Sequence, residues 1–124
     1  MDRNSLLERI TLLRETELIK DEAFNYALSI ISLLEKTEYD FNQEKLDIFI
    51  THAAIAAQRV VADDEEIRMD ESVVNQLQDQ ESYEKAQGLL ESILELPGIM
   101  LSISEKNLFL IHLCNILDES QKGV

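Results

Sequence analysis

The chain has 124 residues, of which 25 are acidic and 11 are basic, giving a formal net charge of -14 at pH 7. The length predicts one domain, and the 45% apolar content is enough for a single core of modest size. The charge argues against nucleic acid, because proteins bind phosphate backbones by neutralising them with Lys and Arg. It argues equally against an anionic membrane surface, whereas it suits a basic protein partner.

The rare residue types point to an all-α protein of the cytoplasm. With three glycines and one proline, the chain has few turn signals, which favours helices over a turn-rich β fold. Cys114 is the single cysteine, so no internal disulfide is expected, as suits a reducing compartment. The first residues lack a secretory signal pattern, and the apolar runs are too short to span a bilayer.

The first part of the chain predicts two helical segments, with the question left open of whether they form one long helix. The first, residues 5–17, carries an apolar stripe of Leu6, Ile10, Leu13 and Leu18. The second, residues 21–36, has Asp21 as its candidate N-cap. Its predicted stripe is Phe24, Ala27, Leu28, Ile31 and Leu33 or Leu34.

A third helix is predicted at residues 43–62, with Asn42 as N-cap. It contains the segment FITHAAIAAQRV, in which His52 and Arg59 are seven residues apart and so lie on one helical stripe. The same stripe holds Ile48, Phe49, Ile55 and Ala56, so His52 is expected to face the core or a partner. The four alanines of this segment would let another helix approach closely.

An acidic region follows at residues 63–95, where 11 acidic and 2 basic residues stand. Residues 63–72 are expected to form a loop, and residues 75–80 are polar without a clear pattern. A helix is predicted at residues 81–95, with its end at Leu96-Pro97-Gly98. Its predicted inward residues are Tyr83, Ala86, Leu89 or Leu90, Ile93 and Leu94.

The last predicted helix covers residues 103–117 and carries the second histidine, His112. Ser102 and Glu105 have the spacing of a capping box. His112 shares a face with Leu108 and Phe109, and with Glu105 and Glu119 seven residues to either side. Residues 120–124 are expected to fray.

Few kinds of chemistry fit these residues. A di-iron bundle needs Glu three residues before each histidine, where this chain has Phe49 and Phe109, so no metal and no cofactor are predicted. No nucleophile–base arrangement or phosphate-binding glycine loop is present, and we expect no enzyme. A neutral imidazole can accept a phosphoryl group, and Arg59 could screen its charge beside His52.

Two interpretations of the histidines remain open at this point. In the first, a histidine accepts a phosphoryl group. His52 suits this role better than His112, because Glu105 or Glu119 near His112 would repel a phosphate and favour the protonated ring. Alternatively, both histidines are packing residues with satisfied hydrogen bonds, and Arg59 covers apolar surface. Spacing alone favours packing.

Three short motifs resemble the phosphotransferase-system regulation domain, the PRD family. Thr51-His52 followed by Ala56 and Arg59 is similar to its first histidine motif, although the family often has Asp where Thr51 stands. After Arg59 the family's usual Gly and Asn-Pro are missing, and Met69-Asp70 is the nearest match. The other two motifs are Glu81, Tyr83 and Ala86, and then Ser102, Glu105 and His112-Leu113. The similarity covers residues 21–118.

The resemblance implies a five-helix bundle at residues 21–119, preceded by a helical extension at 1–20 and followed by a tail at 120–124. It implies a cytoplasmic homodimer phosphorylated on His52 and His112 by HPr or a IIB component, with Arg59 and Glu105 as charge partners. Such a stand-alone domain would sense sugar transport and modulate transcription of a catabolic operon through another regulator protein. The alternative is an interaction module that keeps the fold without the phosphorylation.

Overall fold

The computed structural model describes residues 1–63 and 81–122, with side chains described as far as residue 117. Within these ranges the chain forms an all-α helical bundle without strands, which confirms the predicted fold class. The five described helices are α1 Arg3–Glu15, α2 Asp21–Glu35, α3 Gln43–Ala62, α4 Tyr83–Leu94 and α5 Ile103–Lys122. The predictions for residues 64–80, including Met69-Asp70, and the side chain of Glu119 lie outside the described part.

Helix α3 lies at the centre of the bundle, because it packs against α1, α2 and α5. Helix α4 packs mainly on α5 and touches α2. Four alanines of α3, namely Ala53, Ala54, Ala56 and Ala57, are fully buried, as expected for a helix that neighbours approach closely. None of the described helices combines the length and apolarity needed to cross a membrane.

A non-glycine turn separates α1 from α2, which settles the question of one helix or two. Glu17 adopts a positive φ of 65°, and the next two amides both donate to the carbonyl of Leu13. The turn buries Ile19 and leaves Leu18 60% exposed, so the prediction that Leu18 belongs to the α1 stripe was wrong. Asp21 does not cap α2 either, since it is the first helical residue and follows the N-cap Lys20.

The buried face of α2 is wider than its predicted stripe. Phe24, Leu28 and Leu33 are only partly buried, because α2 packs between helices on several sides and they lie at the edges of its core face. The guanidinium of Arg14 covers the Phe24 ring at 3.9 Å from its centroid. The fully or nearly fully buried α2 residues are Ala23, Tyr26, Ala27, Ile30, Ile31 and Leu34.

Most helix ends follow the predicted signals. The Asn42 side chain accepts a hydrogen bond from the Lys45 amide at 3.0 Å, which confirms the α3 cap. Helix α4 ends before Pro97, and Gly98 has a φ of 96° that suits glycine. Leu94, predicted to face inward, is 39% exposed because it lies in the last turn. Helix α5 continues to Lys122, so the predicted end at residue 117 was wrong.

The segment before residue 21 shares the core of the bundle. Leu6 and Ile10 of α1 are fully buried and belong to the same hydrophobic cluster as the residues of α2, α3 and α5. Polar contacts tie this region to α3 as well, since the Asp2 amide donates to Gln43 and the Lys20 amide donates to Gln58. These contacts hold α3 in place, and α3 carries the first histidine.

Candidate functional site

The packing of α3 on α5 brings the two histidines of the chain together. The ring centroids of His52 and His112 are 5.0 Å apart, with planes inclined at 33°. Phe49 and Phe109 are fully buried, and each precedes a histidine by three residues. Residues three apart share a helix face, so each phenylalanine lies on the core side of a histidine. Their rings meet edge to face at 5.4 Å. The histidine pair therefore packs against two buried phenylalanine rings at the edge of the core.

His52 lies at the boundary between core and surface. Its side chain is 18% exposed. On the same predicted stripe, Ile48 is 59% exposed whereas Phe49 and Ala56 are fully buried. The stripe thus crosses the edge of the core, and the ring of His52 keeps a route to solvent.

A buried carboxylate from α5 contacts His52. The Glu105 side chain is only 4% exposed, and its Oε2 atom lies 3.2 Å from Nε2 of His52. Its other oxygen lies 3.8 Å from Nη1 of Arg59. That second distance is too long for a hydrogen bond and describes an ion pair. His52, Glu105 and Arg59 therefore form one cluster, in which the ion pair of Glu105 and Arg59 adjoins the imidazole.

This cluster differs from the arrangement expected for Glu105. The sequence placed Glu105 beside His112 on its own helix, but the described contacts of its carboxylate are with α3. The local start of α5 aims it there: the Ser102 hydroxyl accepts a hydrogen bond from the Glu105 amide at 3.1 Å, as predicted for the N-cap. The Glu105 side chain thus leaves the first turn of α5 in a fixed direction, toward α3.

Thr51 contributes to its own helix instead of to the histidine. Its hydroxyl donates to the backbone carbonyl of Asp47 at 2.8 Å and accepts from Arg9 at 3.3 Å. The acid that contacts His52 is therefore supplied from α5, across the helix interface, while the preceding residue is neutral. Sequence reasoning missed this contact, and the only signal for it was the position of Glu105 in the first turn of a helix.

Both imidazoles are held in the neutral form. Burial, and to a lesser extent the neighbouring His52, lower the pKa of His112 from 6.5 to about 4. Burial also lowers the pKa of His52, and the Arg59 guanidinium adds to the effect. The Glu105 carboxylate favours the charged ring, but the net shift of the His52 pKa is still downward. At neutral pH each ring thus has one nitrogen with an available lone pair.

A surface pocket of ≈ 310 Å³ lies on the Arg59 side of the cluster. Arg59, Ser102 and Glu105 supply polar groups to it, and Met100 and Leu101 supply part of its apolar wall. Within the described residues, Nη1 of Arg59 is buried and has no hydrogen-bond partner. The pocket therefore borders the Arg59–Glu105 ion pair, next to the carboxylate that contacts His52.

The described residues contain no group of three or more His, Cys, Asp or Glu side chains placed to hold a metal ion. No protein-family model, curated protein or solved structure matches the chain. The four residues singled out from the sequence, His52, Arg59, Glu105 and His112, nevertheless lie in one cluster of the bundle.

Proposed function

We propose that the protein is a stand-alone regulatory domain of the phosphotransferase-system kind, which accepts a phosphoryl group on His52. The observation that carries the proposal is the cluster in which a partly exposed, neutral imidazole is held by Glu105 beside Arg59. A neutral imidazole is a competent nucleophile near pH 7. The motif resemblance supplies the class of donor, namely the carrier HPr or a IIB component.

The reaction needs no group beyond donor and acceptor. The lone pair of the unprotonated ring nitrogen of His52 forms a bond to phosphorus, while the bond between phosphorus and the donor's own nucleophilic atom breaks. The electron pair of that bond returns to the donor. The acceptor ring becomes a phosphorylated imidazolium, so the protein has to stabilise positive charge on the ring and negative charge on the phosphoryl oxygens.

Two neighbours of His52 suit these requirements. Glu105 lies 3.2 Å from the ring and favours the positive charge that forms on it. Arg59, 3.8 Å from the other oxygen of Glu105, adds a positive charge to the site that favours the approach of an anionic phosphoryl group. Among the residues that the structure describes, no comparable contact joins His112 to a cation, which supports His52 as the primary acceptor and His112 as the secondary one.

The face around His52 suits contact with another protein. Ile48 lies one turn before His52 and leaves 59% of its surface exposed, so an apolar residue borders the acceptor ring. A carrier protein or a second copy of the chain would cover it. With a net charge of -14, the chain would attract a basic patch around the donor site of a carrier. We place the protein in the cytoplasm as a homodimer that signals through a regulator protein.

The proposal is tested by incubating the chain with phosphoenolpyruvate, enzyme I and HPr, followed by mass spectrometry at neutral to alkaline pH, where phosphohistidine survives. We expect one phosphoryl group on His52. His52→Gln should lose most of the modification, whereas the matched variant His112→Gln should keep it. Arg59→Gln should slow the transfer without moving the site.

A failure of HPr to modify either histidine, followed by a failure of purified IIB components, would contradict the phosphoacceptor proposal. Circular dichroism of each variant shows whether a loss of modification reflects a loss of fold. Modification that persists in His52→Gln and disappears in His112→Gln would transfer the acceptor role to α5.

A second function, an interaction module without phosphorylation, is favoured by a separate observation. The connection between α4 and α5 exposes apolar side chains, with Met100 85% exposed and Ile103 68% exposed. Large exposed apolar side chains that lie near one another are typical of protein-binding surfaces. If this is the function, binding of a partner would be lost in Met100→Ser and would be unaffected by His52→Gln.

A further inference from the structure

The Glu105–His52 contact fixes which ring nitrogen can react. This inference rests on the proposed phosphoryl acceptance and adds an atomic site to it. We propose that Glu105 is a positioning residue that keeps the proton on Nε2 of His52, so that the phosphoryl group is accepted by Nδ1. The observation behind it is a 3.2 Å contact between Nε2 and a carboxylate that is almost fully buried.

The hydrogen-bond inventory of the two groups leads to this assignment. An ionised carboxylate only accepts hydrogen bonds, and a neutral imidazole has one donor and one acceptor nitrogen. The Arg59 guanidinium, 3.8 Å from the second carboxylate oxygen, forms an ion pair with the Glu105 carboxylate. Nε2 of His52 therefore carries the proton, and the lone pair available for attack is on Nδ1.

The charges of the product lead to the same nitrogen. A phosphoryl group on Nε2 would place its negative oxygens against the buried Glu105 carboxylate. When Nδ1 attacks instead, the new bond to phosphorus forms on the far side of the ring, and the donor's bond to phosphorus breaks with its electron pair returning to the donor. The ring then carries a positive charge, and the Nε2–H group directs that charge at Glu105, as a buried carboxylate does for an imidazolium in other nucleophile–base pairs.

Glu105 also fixes the ring orientation. It begins in the first turn of α5, where its amide is held by Ser102, while His52 sits midway along α3. The contact therefore links two helices and favours one orientation of the imidazole, with Nε2 toward Glu105. The nearby Arg9 donates to Thr51, and the Asp47 carboxylate accepts from Gln43, so both groups have partners other than the ring.

The first test does not need a phosphoryl donor. In the His112→Gln variant His52 is the single histidine, so its ring nitrogens can be assigned by ¹⁵N NMR without ambiguity. We expect the Nε2–H tautomer in this chain and a mixture of tautomers once Glu105→Ala is added. A predominant Nδ1–H tautomer in the His112→Gln chain would overturn the inference whatever the protein does.

The second test uses phosphorylated HPr and, in parallel, potassium phosphoramidate, with the phosphohistidine isomer read by ¹⁵N and ³¹P NMR. We expect Nδ1-phosphohistidine at residue 52. Glu105→Gln keeps the size and an acceptor atom but removes the charge, and should slow transfer by roughly tenfold, because charge-assisted hydrogen bonds are about twice as strong as neutral ones. Glu95→Gln removes an exposed acid at the end of α4, which has no described contact with His52, Glu105 or Arg59, and should leave the rate unchanged.

The outcomes separate this inference from the proposed function. Phosphorylation of His52 on Nε2 would overturn the role of Glu105 and leave the phosphoacceptor function standing. Equal rates for Glu105→Gln and wild type, with the same isomer, would also overturn it. If neither HPr nor phosphoramidate modifies His52 in the folded protein, the phosphoacceptor function itself fails.

Discussion

The histidine pair predicts a loss of stability at mildly acidic pH. Burial, and then the neighbouring His52, lower the pKa of His112 from 6.5 to about 4. The His112 imidazole is therefore protonated near pH 6.5 in the unfolded chain, but only near pH 4 in the folded chain. Between those values the unfolded state holds more protons, so the free energy of unfolding falls as the pH falls.

The expected size of the effect follows from the linkage relation. A tenfold change in proton affinity corresponds to about 1.4 kcal/mol, so the shift of the His112 pKa predicts a loss of about 2 kcal/mol between pH 7 and pH 5. The pKa of His52 is also lowered, which adds to the loss in the same direction. Glu105 and Arg59 face His52 and act on it with opposite signs.

Urea unfolding at pH 7 and pH 5 measures this difference, and the window avoids most of the carboxylate titrations. The matched variant is His112→Gln, which replaces the imidazole with a neutral side chain that does not titrate. Its loss of stability between the two pH values should be smaller than that of wild type by about 2 kcal/mol. An NMR titration of the His112 ring should show no protonation above pH 5 in the folded state.

Two results would refute this reasoning. If wild type and His112→Gln lose the same stability between pH 7 and pH 5, then His112 is not shifted in the folded state. If the His112 ring titrates near 6.5 in the folded protein, the burial of the pair is not maintained in solution.

Three further predictions concern the core, a helix cap and the charge at the site. Phe109→Ala removes a fully buried ring in edge-to-face contact with Phe49 and should cost about 3–5 kcal/mol in urea unfolding. Asn42→Ala removes the α3 cap and should cost about 1 kcal/mol, with Asn42→Ser retaining most of the stability. Intact-protein mass spectrometry should find at most one phosphoryl group per chain. The ring centroids of His52 and His112 are 5.0 Å apart, so a second phosphoryl group would be strongly repelled by the first. An abundant doubly modified species would contradict this prediction.

The positions of the helices could be predicted because their signals are local. Asn42, Ser102 and Pro97-Gly98 act on the backbone within a few residues, and the structure has the corresponding ends near them. The turn at Glu17 carried no such signal, because it is a left-handed residue other than glycine. A positive φ is unfavourable for a residue other than glycine, and the burial of Ile19 in the same turn offsets this cost.

The faces of the helices were less predictable than their positions. Periodicity gives one apolar stripe per helix, but α2 contacts α1, α3 and α4, so residues over a wider arc are buried. In α3 the converse occurs, since Ile48 lies on the apolar stripe and remains largely exposed. Whether a residue at the edge of a stripe is covered depends on the neighbouring helices, which the sequence of a single helix does not specify.

The contact between Glu105 and His52 shows why the residues of a site can be predicted when the contacts between them are not. Seven-residue spacing linked Glu105 to His112 and His52 to Arg59, because spacing relates only residues of one helix. The structure adds a contact across the α3–α5 interface, where one buried carboxylate meets His52 and Arg59 together. This contact changes the chemistry expected of Glu105, because a carboxylate 3.2 Å from His52 favours positive charge on that ring.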